Sequence, residues 1–317
     1  MNLKIFLELV EIKAKTASIF PFLLAALYSY YRFGYLNFTN MLIFFVAMLL
    51  FNMAVDANDN YQDYKRAKRN KTNDFISKTN VIGVNHLNIH MIGWLVFALI
   101  FVSALLGIWL TIRTNWIILV MGLFCFAVGY LYAGGPWPLS SLPIAEFFAG
   151  FTMGYMIFLI NVFLNLYSKM TFNWSIAIEA LLPAGLISFA ISALLLANNI
   201  CDEEEDKTLK RHTIVYYLGR SKSLILYDSF YVIGFLLLLF SVILKLQPIA
   251  SLLTFAIVPL IWHNLVIFHK KQVKKETFIL SIKNLLFYFG CSDFNGCNWC
   301  LSSFLIEFSF FKQISFS

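Results

Sequence analysis

Charged residues are scarce in this chain. Asp, Glu, Lys and Arg make up 13% of its 317 residues, against roughly 25% in soluble globular domains. Hydrophobic residues make up 60%, and apolar runs long enough to cross a bilayer recur along most of the sequence. A soluble protein of one or two domains is therefore excluded, and the composition predicts a polytopic α-helical membrane protein.

The apolar runs predict about nine membrane helices in one bundle, built from two pseudo-repeated units of about four helices each. The start, Met-Asn-Leu-Lys, lacks the small-residue cleavage site of a signal peptide, so we expect the first helix to be retained. The predicted spans are 16–33, 40–58, 90–111, 116–133, 144–165, 176–198, 224–244, 248–268 and a weaker 285–310.

Lys and Arg are unevenly distributed between the loops. With the N-terminus inside, the inner segments hold 19 of them and the outer loops hold 4. This bias predicts a multi-pass protein of the cell membrane whose N-terminus is cytoplasmic. The net charge of +7 follows from the same bias. Because the lysines are spread over separate loops, they do not indicate a nucleic-acid partner.

Cysteine and histidine are also few, with five of each. Cys125 and Cys201 lie where thiols stay reduced, so we expect no disulfide framework. The other three cysteines lie within 286–317 and lack a nearby fourth ligand for a zinc site. This last segment does not match the preceding helices in composition. We interpret it as an atypical, frameshifted last helix that follows a membrane domain of residues 1–285.

The few acidic residues are concentrated in two stretches. Residues 52–63 contain three and residues 198–206 contain five, so together they hold 8 of the 17 Asp and Glu residues. A polar pattern that is used twice in an apolar chain indicates a function rather than solvation. An offset of 146 places Asn52, Asp56, Asp59 and Asn60 on Asn198, Asp202, Glu205 and Asp206.

Spacings of three and four residues place each set along one stripe of a helix. Carboxylates stacked in this way repel one another and are costly near a bilayer, so a cation is the natural counter-charge. Oxygen ligands without imidazole or thiol suit Mg²⁺ or Ca²⁺, and Mg²⁺ readily bridges to phosphate. The two stripes therefore predict a site for metal and diphosphate. The predicted metal ligands are Asn52, Asp56, Asp59, Asp63, Asn198, Asp202 and Asp206.

A basic run follows each acidic stretch. These side chains could bind the phosphates and neutralise the charge of a leaving pyrophosphate. The alternative, that they are ordinary inner-loop lysines, stays open. The residues are Lys65, Arg66, Lys68, Arg69 and Lys71 after the first stretch, and Lys207, Lys210 and Arg211 after the second.

A third motif, Tyr132-Ala-Gly134-Gly135-Pro136, begins an inner loop that contains no basic residue. Gly-Gly-Pro predicts a tight turn, and an uncharged inner loop is expected to pack against the site. Glu146 starts the apolar helix that follows. Its carboxylate has two interpretations, a favourable partner of the helix dipole or a polar contact to a substrate hydroxyl.

These residues together resemble the UbiA superfamily of intramembrane aromatic prenyltransferases. The Tyr132-to-Pro136 motif, Glu146, and the second acidic stretch with Arg211-His-Thr213 and Leu218-Gly-Arg220 behind it are most similar to the menaquinone-pathway branch. The resemblance covers about residues 1–285, which it identifies as an intramembrane prenyltransferase domain.

The resemblance implies Mg²⁺-dependent transfer of a polyprenyl group from a polyprenyl diphosphate to 1,4-dihydroxy-2-naphthoate. CO₂ and diphosphate leave, and demethylmenaquinone forms. The partners implied are these two substrates and the lipid bilayer. The catalytic residues implied are Asp56, Asp59, Asp63, Asp202 and Asp206, with Tyr132 shielding the allylic cation through its ring face. The substrate-binding residues implied are Lys65, Arg66 and Arg211 at the diphosphate, and Glu146, Gly134 and Gly135.

The first acidic stretch departs from the family. It reads Asp-Ala-Asn-Asp-Asn-Tyr-Gln-Asp rather than Asn-Asp-x-x-Asp-x-x-x-Asp, so the assignment of individual acids to metals stays open. Three alternative functions also stay open: transfer to another acceptor such as 4-hydroxybenzoate, a cation-coupled transporter, and a catalytically impaired homologue. A transporter would place its acids near the bilayer midplane rather than beside basic runs at the membrane edge.

Overall fold

The computed structural model describes residues 1–70, 73–135, 137–169 and 174–288, which contain helices and connecting segments but no strand. The all-α prediction is therefore confirmed. The helices are α1 Leu3–Leu9, α2 Thr16–Phe33, α3 Phe38–Asn70, α4 Asn73–Lys78, α5 Val81–Val84, α6 Ile89–Arg113, α7 Trp116–Ala133, α8 Ala145–Leu166, α9 Trp174–Cys201, α10 Glu203–Thr208, α11 Ile214–Ile243, α12 Ile249–Lys270 and α13 Phe278–Phe287.

Seven of the described helices are long and apolar enough to cross a membrane: α3, α6, α7, α8, α9, α11 and α12. A multi-pass α-helical protein is thus supported, whereas the count of nine is not confirmed. Helix α2 is not one of the seven, and α13 has only 10 residues. The predicted span 285–310, the proposed frameshift and the three cysteines there lie almost entirely outside the described residues.

Helix α3 is longer than predicted. The expected helix ended at 58 and was followed by a loop over 59–89, but α3 runs for 33 residues. Neither Gly nor Pro interrupts it, and Lys68 and Arg69 in its last turn interact favourably with the helix dipole. The first acidic stretch and most of its basic run therefore lie on one continuous helix.

Helix α11 also begins earlier than predicted, at Ile214 rather than at 224. Gly219 lies inside it with φ 70°, in the left-handed region that favours glycine. The helix therefore bends where Leu218-Gly-Arg220 passes, and the predicted loop before it is shorter.

The described chain forms two compact units. The first comprises Met1–Ser18 and Phe38–Leu142, and the second comprises Ile19–Asn37 and the described residues from Pro143 onward. Most of α2 therefore belongs to the second unit, although it precedes α3 in the chain. The units do not follow the chain order that two successive four-helix repeats would give.

Contacts of α2 with α8 explain why most of α2 belongs to the second unit. The ring of Tyr28 packs on Phe158 with centroids 5.3 Å apart. Asn161 Nδ2 donates to the carbonyl oxygen of Phe22 at 2.7 Å, and Asn161 is fully buried. A buried amide in an apolar bundle needs such a partner, so this bond fixes α2 within the second unit.

In the first unit, α3 packs against α6 and α7. Phe51 on α3 stacks on Phe126 on α7 with centroids 4.0 Å apart. Ser103 on α6 is buried and donates to the carbonyl oxygen of Ala47 at 2.8 Å. These contacts hold the helix that carries the first acidic stretch.

In the second unit, a buried polar network links α11, α12 and α13. The hydroxyl of Tyr227 lies 2.6 Å from that of Ser281 and 3.3 Å from that of Tyr231. Asn284 Nδ2 donates to the Tyr231 hydroxyl at 3.2 Å and its Oδ1 accepts from Asn264 Nδ2 at 2.7 Å. Because each bond replaces one that water would make outside the bundle, the network fixes α13 on its neighbours.

Helices α8 and α9 approach closely at two glycines. Gly150 and Gly154 lie in a π-helical segment of α8, Gly150–Met156. A Cβ at Gly150 would overlap Ser192, and one at Gly154 would overlap Ser188. Small residues at a helix crossing allow the backbones to approach, which is how membrane helices pack without a hydrophobic driving force.

We expect Gly154→Ala to lower the thermal midpoint of the protein, because overpacking a close contact typically costs about 1–3 kcal/mol. Gly107→Ala is the control, since no atom lies within 4 Å of a Cβ there. Its midpoint should be unchanged or higher, because Ala is the better helix former. Thermal melts in detergent micelles measure both, and equal midpoints for the two variants would contradict the close packing of α8 on α9.

Candidate active site

The first motif is carried by α3, and a lysine from outside the motif pairs with it. Lys15 lies at the end of the 3₁₀ turn Ile12–Lys15 and is 1% exposed. Its Nζ donates to the carbonyl oxygen and to Oδ1 of Asn52, both at 3.2 Å. It also forms an ion pair with Asp56. Asn52 and Asp56, which the sequence predicts to hold metal, thus share one ammonium group.

Burial lowers the pKa of Lys15 to about 8, while the nearby Glu11 carboxylate opposes the shift. The side chain therefore remains cationic at neutral pH. Sequence reasoning missed it, because 41 residues separate Lys15 from Asp56. A buried lysine near an acidic stretch has no local signal in the sequence.

Further along α3, the predicted phosphate-binding residue Arg66 has contacts of its own. Its Nη1 lies 3.4 Å from Asp63 Oδ1, and its Nη2 donates to the carbonyl oxygen of Ala133 at 2.5 Å. Ala133 is the last residue of α7, immediately before the glycine loop. Arg66 therefore ties α3 to that loop. Lys65 is exposed and lies 5.1 Å from the ring centroid of Tyr61.

The Gly-Gly turn requires its glycines at both positions. Gly134 N donates to Tyr130 O at 2.9 Å, and a Cβ on Gly134 would lie 2.7 Å from that oxygen. Gly135 has φ 81°, where side chains are strained. Tyr132 lies half-buried in the last turn of α7. Pro136 lies outside the described residues.

The second motif crosses a helix end but keeps its spacing. Helix α9 ends at Cys201, and Asp202 leaves helical geometry with φ −93° and ψ 7°. The backbone N–H of Asp202 still donates to Asn198 O at 2.9 Å, and that of Asp206 donates to Asp202 O at 2.8 Å. The predicted stripe of Asn198, Asp202 and Asp206 is therefore preserved across the break.

Asp202 is also paired with a lysine from a distant segment. Its Oδ2 accepts from Asn198 Nδ2 at 3.1 Å and forms an ion pair with Lys274, which lies between α12 and α13. Lys274 is a second residue that sequence reasoning missed, since it lies 72 residues from Asp202. The aspartate of the Asn-x3-Asp pair in each motif thus binds one lysine ammonium.

Asp206 is the most buried acid of the second motif, at 4% exposure. Its Oδ1 lies 3.6 Å from Arg211 Nη1, whereas its Oδ2 is buried and makes no hydrogen bond with any described residue. Burial raises the pKa of this carboxyl to about 7, with the Arg211 guanidinium opposing the shift and Asp202 adding to it. An orphaned carboxylate oxygen at this place suits a cation.

Glu146 contacts α9 next to the second motif. Glu146 is 3% exposed, and its Oε1 accepts from Asn199 Nδ2 at 2.8 Å. Ser192 Oγ donates to the Glu146 backbone oxygen at 2.8 Å. Oε2 is buried and has no hydrogen-bond partner in the described part of the chain. Asn199 is a positioning residue that the sequence prediction did not single out.

The donor set is compatible with Mg²⁺. Among the described residues, no three His, Cys, Asp or Glu side chains lie together closely enough to hold a metal by themselves. Each motif instead offers carboxylate and amide oxygens, one of them the orphaned Asp206 Oδ2. Mg²⁺ keeps several waters and is commonly bound through one or two carboxylates plus substrate phosphates, so these residues fit it better than they fit an all-protein cage.

The described residues thus define a multi-pass helical membrane protein with two Asp-rich motifs suited to an oxygen-bound divalent cation. Residues 18–289 match the model of the UbiA prenyltransferase family. The chain belongs to this family, which confirms the resemblance found in its motifs.

Comparison with individual proteins agrees with the family. The chain is 28% identical over 235 residues to a 1,4-dihydroxy-2-naphthoate octaprenyltransferase of Bacillus subtilis (strain 168), covering 74% of this chain and 72% of the relative. It superimposes with a TM-score of 0.67 on a UbiA homologue from Aeropyrum pernix K1, at 17% identity over 88% of this chain and 96% of the other. On a UbiA homologue from Archaeoglobus fulgidus bound to DMAPP and Mg²⁺ it superimposes with a TM-score of 0.60, at 13% identity over 89% of this chain and 96% of the other. These two structures show the shared fold.

We expect the titration of Asp206 to lower the stability of the metal-free protein as pH rises between about 4 and 7. The native carboxyl binds its proton more tightly than an unfolded one, whose ordinary pKa is 3.8, so deprotonation above that value favours unfolding. Asp206→Asn removes this titration. Its thermal midpoint minus that of the wild type should therefore be more positive at pH 7.5 than at pH 4.5, by roughly 2 °C or more. Melts in EDTA measure this, and a difference independent of pH would contradict a raised pKa.

Proposed function

We propose that this protein transfers a polyprenyl group from a polyprenyl diphosphate to 1,4-dihydroxy-2-naphthoate, releasing diphosphate and CO₂ and giving a demethylmenaquinol, the hydroquinone form of demethylmenaquinone. The observation that carries the proposal is the repeated Asn-x3-Asp pair, whose aspartate holds a lysine ammonium in each motif. The named activity of the Bacillus subtilis relative supports the choice of acceptor.

The two motifs act on the diphosphate. When bound, Mg²⁺ supplies positive charge that stabilises the leaving diphosphate. The residues that would hold it are Asn52, Asp56, Asp59, Asp63, Asn198, Asp202 and Asp206. Lys65, Arg66 and Arg211 contact the diphosphate oxygens, and Arg211 already lies beside Asp206.

The reaction begins when the carbon–oxygen bond between the prenyl chain and its diphosphate breaks and the electron pair leaves with the oxygen. Fixed charges that stabilise the departing anion supply the largest share of such a rate enhancement. The resulting allylic cation lies against the ring face of Tyr132, where the aromatic quadrupole stabilises it. The ring carbon of the acceptor that bears the carboxylate then attacks the cation, and that carboxylate leaves as CO₂.

Glu146, Gly134 and Gly135 bind the acceptor. The Glu146 Oε2 atom is buried and lacks a hydrogen-bond partner among the described residues, so it is available to an acceptor hydroxyl. Asn199 holds the other carboxylate oxygen and fixes the orientation of the side chain. The Gly-Gly turn keeps the neighbouring backbone free of side chains.

The protein resides in the cell membrane with its N-terminus and both motifs on the cytoplasmic side. This topology is supported by the 19 basic residues of the inner segments against 4 in the outer loops. It exposes the motifs to the compartment that contains the water-soluble aromatic acceptor.

We expect Asp56→Asn and Asp202→Asn each to lower the transfer rate by about 100-fold or more, because each removes a proposed metal ligand. Asp74→Asn and Glu204→Gln are matched controls, with acid side chains that are 88% and 77% exposed and paired only with nearby lysines in the described structure. Transfer in membranes is measured with Mg²⁺ and with EDTA. Near-normal turnover in either motif variant, or full activity in EDTA, would refute the metal assignment.

We also expect the protein to release one CO₂ for each prenyl group that it transfers to 1,4-dihydroxy-2-naphthoate. Substrate labelled in the carboxylate measures CO₂, and chromatography of the quinone measures product. 4-Hydroxybenzoate is the competing acceptor and keeps its carboxylate on prenylation at another ring carbon. Faster turnover of 4-hydroxybenzoate, or transfer without CO₂ release, would replace the proposed acceptor while leaving the prenyltransferase chemistry in place.

A further inference from the structure

Each Asp-rich motif holds a lysine ammonium on its central aspartate. In the first motif, Lys15 pairs with Asp56 and also donates to Asn52. In the second, Lys274 pairs with Asp202, whose same oxygen accepts from the motif's asparagine. Both motifs therefore pair their aspartate with a lysine, while the asparagine accepts from the lysine in the first motif and donates to the aspartate in the second.

The aspartates repeat along the chain, but the lysines do not. Adding 146 to Asp56 gives Asp202, whereas adding 146 to Lys15 gives Asn161. Lys15 precedes α2, while Lys274 lies between α12 and α13. The sequence repeat thus does not explain why both motifs acquired a lysine. A shared requirement at the aspartate does explain it, since a carboxylate at the edge of an apolar bundle needs a positive partner.

The ammonium occupies the oxygens that a divalent cation would use. Asn52 Oδ1 and Asp56 Oδ2 are both taken by Lys15, and Asp202 Oδ2 is taken by Lys274. A cation bound at the same oxygens would lie within a few ångströms of the ammonium, where like charges repel strongly in a poorly hydrated place. Lysine and metal therefore compete for each aspartate.

We propose that Lys15 and Lys274 are resident counter-charges that a divalent cation must displace from Asp56 and Asp202. The inference rests on the proposed function insofar as it takes these aspartates to be metal ligands. It predicts that the free protein binds a bare divalent cation weakly. Diphosphate offsets the repulsion between metal and lysine, so the cation binds well only together with its anionic substrate.

The two lysines differ in how easily they are displaced. The side chain of Lys274 is 51% exposed, whereas that of Lys15 is 2% exposed. Lys274 can rotate into water, but Lys15 is enclosed within the first unit. The second motif is therefore the one that a bare cation enters first.

The test is a titration of the purified, metal-free full chain with Mn²⁺ alone, with free Mn²⁺ measured by electron paramagnetic resonance. Lys274→Met and Lys15→Met should bind Mn²⁺ at least about tenfold more tightly than the wild type, because a nearby like charge has been removed. Lys274→Arg keeps the charge and should retain the wild-type affinity. Lys271→Met and Lys13→Met are matched controls, since Lys271 pairs with Glu276 and Lys13 is exposed.

Unchanged or weaker Mn²⁺ binding by Lys274→Met would overturn the proposal. This variant decides the question even if Lys15→Met does not fold, because the Lys274 side chain is half-exposed. Asp202→Asn is titrated alongside, and Mn²⁺ binding that does not depend on Asp202 would overturn the metal assignment and the proposal with it. No prenyl donor or aromatic acceptor is present, so an error in the proposed acceptor leaves the result unaffected.

Discussion

A carboxylate at the edge of an apolar helix bundle must have a positive partner, and the structure of this protein depends on how it meets that constraint. Asp56 and Asp202 both meet it with a lysine from a distant segment. These pairs anchor the turn that precedes α2 to α3, and the segment that follows α12 to the end of α9. The same charges that make the motifs suitable for metal therefore also determine where two connecting segments lie.

Several features were predictable because their signals are local. Apolar runs identified the long helices, and the acids showed a helical period and a 146-residue repeat. The continuation of α3 to Asn70 was not predicted, because the polar and charged composition of its second half resembles that of a loop. Its side chains are instead accommodated by pairs within the helix, such as Asp63 with Arg66 at i,i+3.

Features that depend on tertiary contacts were not predictable. Nothing near Lys15 or Lys274 in the sequence indicates that each pairs with an aspartate 41 or 72 residues away. The contact of Arg66 with the backbone carbonyl of Ala133 likewise has no signal in the basic run that contains it. The place of α2 in the second unit likewise depends on the buried amide of Asn161. Nothing in the composition around Asn161 distinguishes it from any other polar residue.

The length of α3 makes the depth of the first motif sensitive to the bilayer itself. Its apolar part, Phe38 to Phe51, covers ~21 Å of an upright helix, whereas the hydrocarbon core is ~30 Å thick. In an upright α3 whose first residue lies at one edge of that core, Asn52 and Asp56 would lie below the headgroups, and Asp63 would lie near their level. Because the helix is continuous, a thicker membrane would draw all of these groups inward together. Lipid chain length would thus become a physical variable of the proposed reaction, alongside metal and substrate.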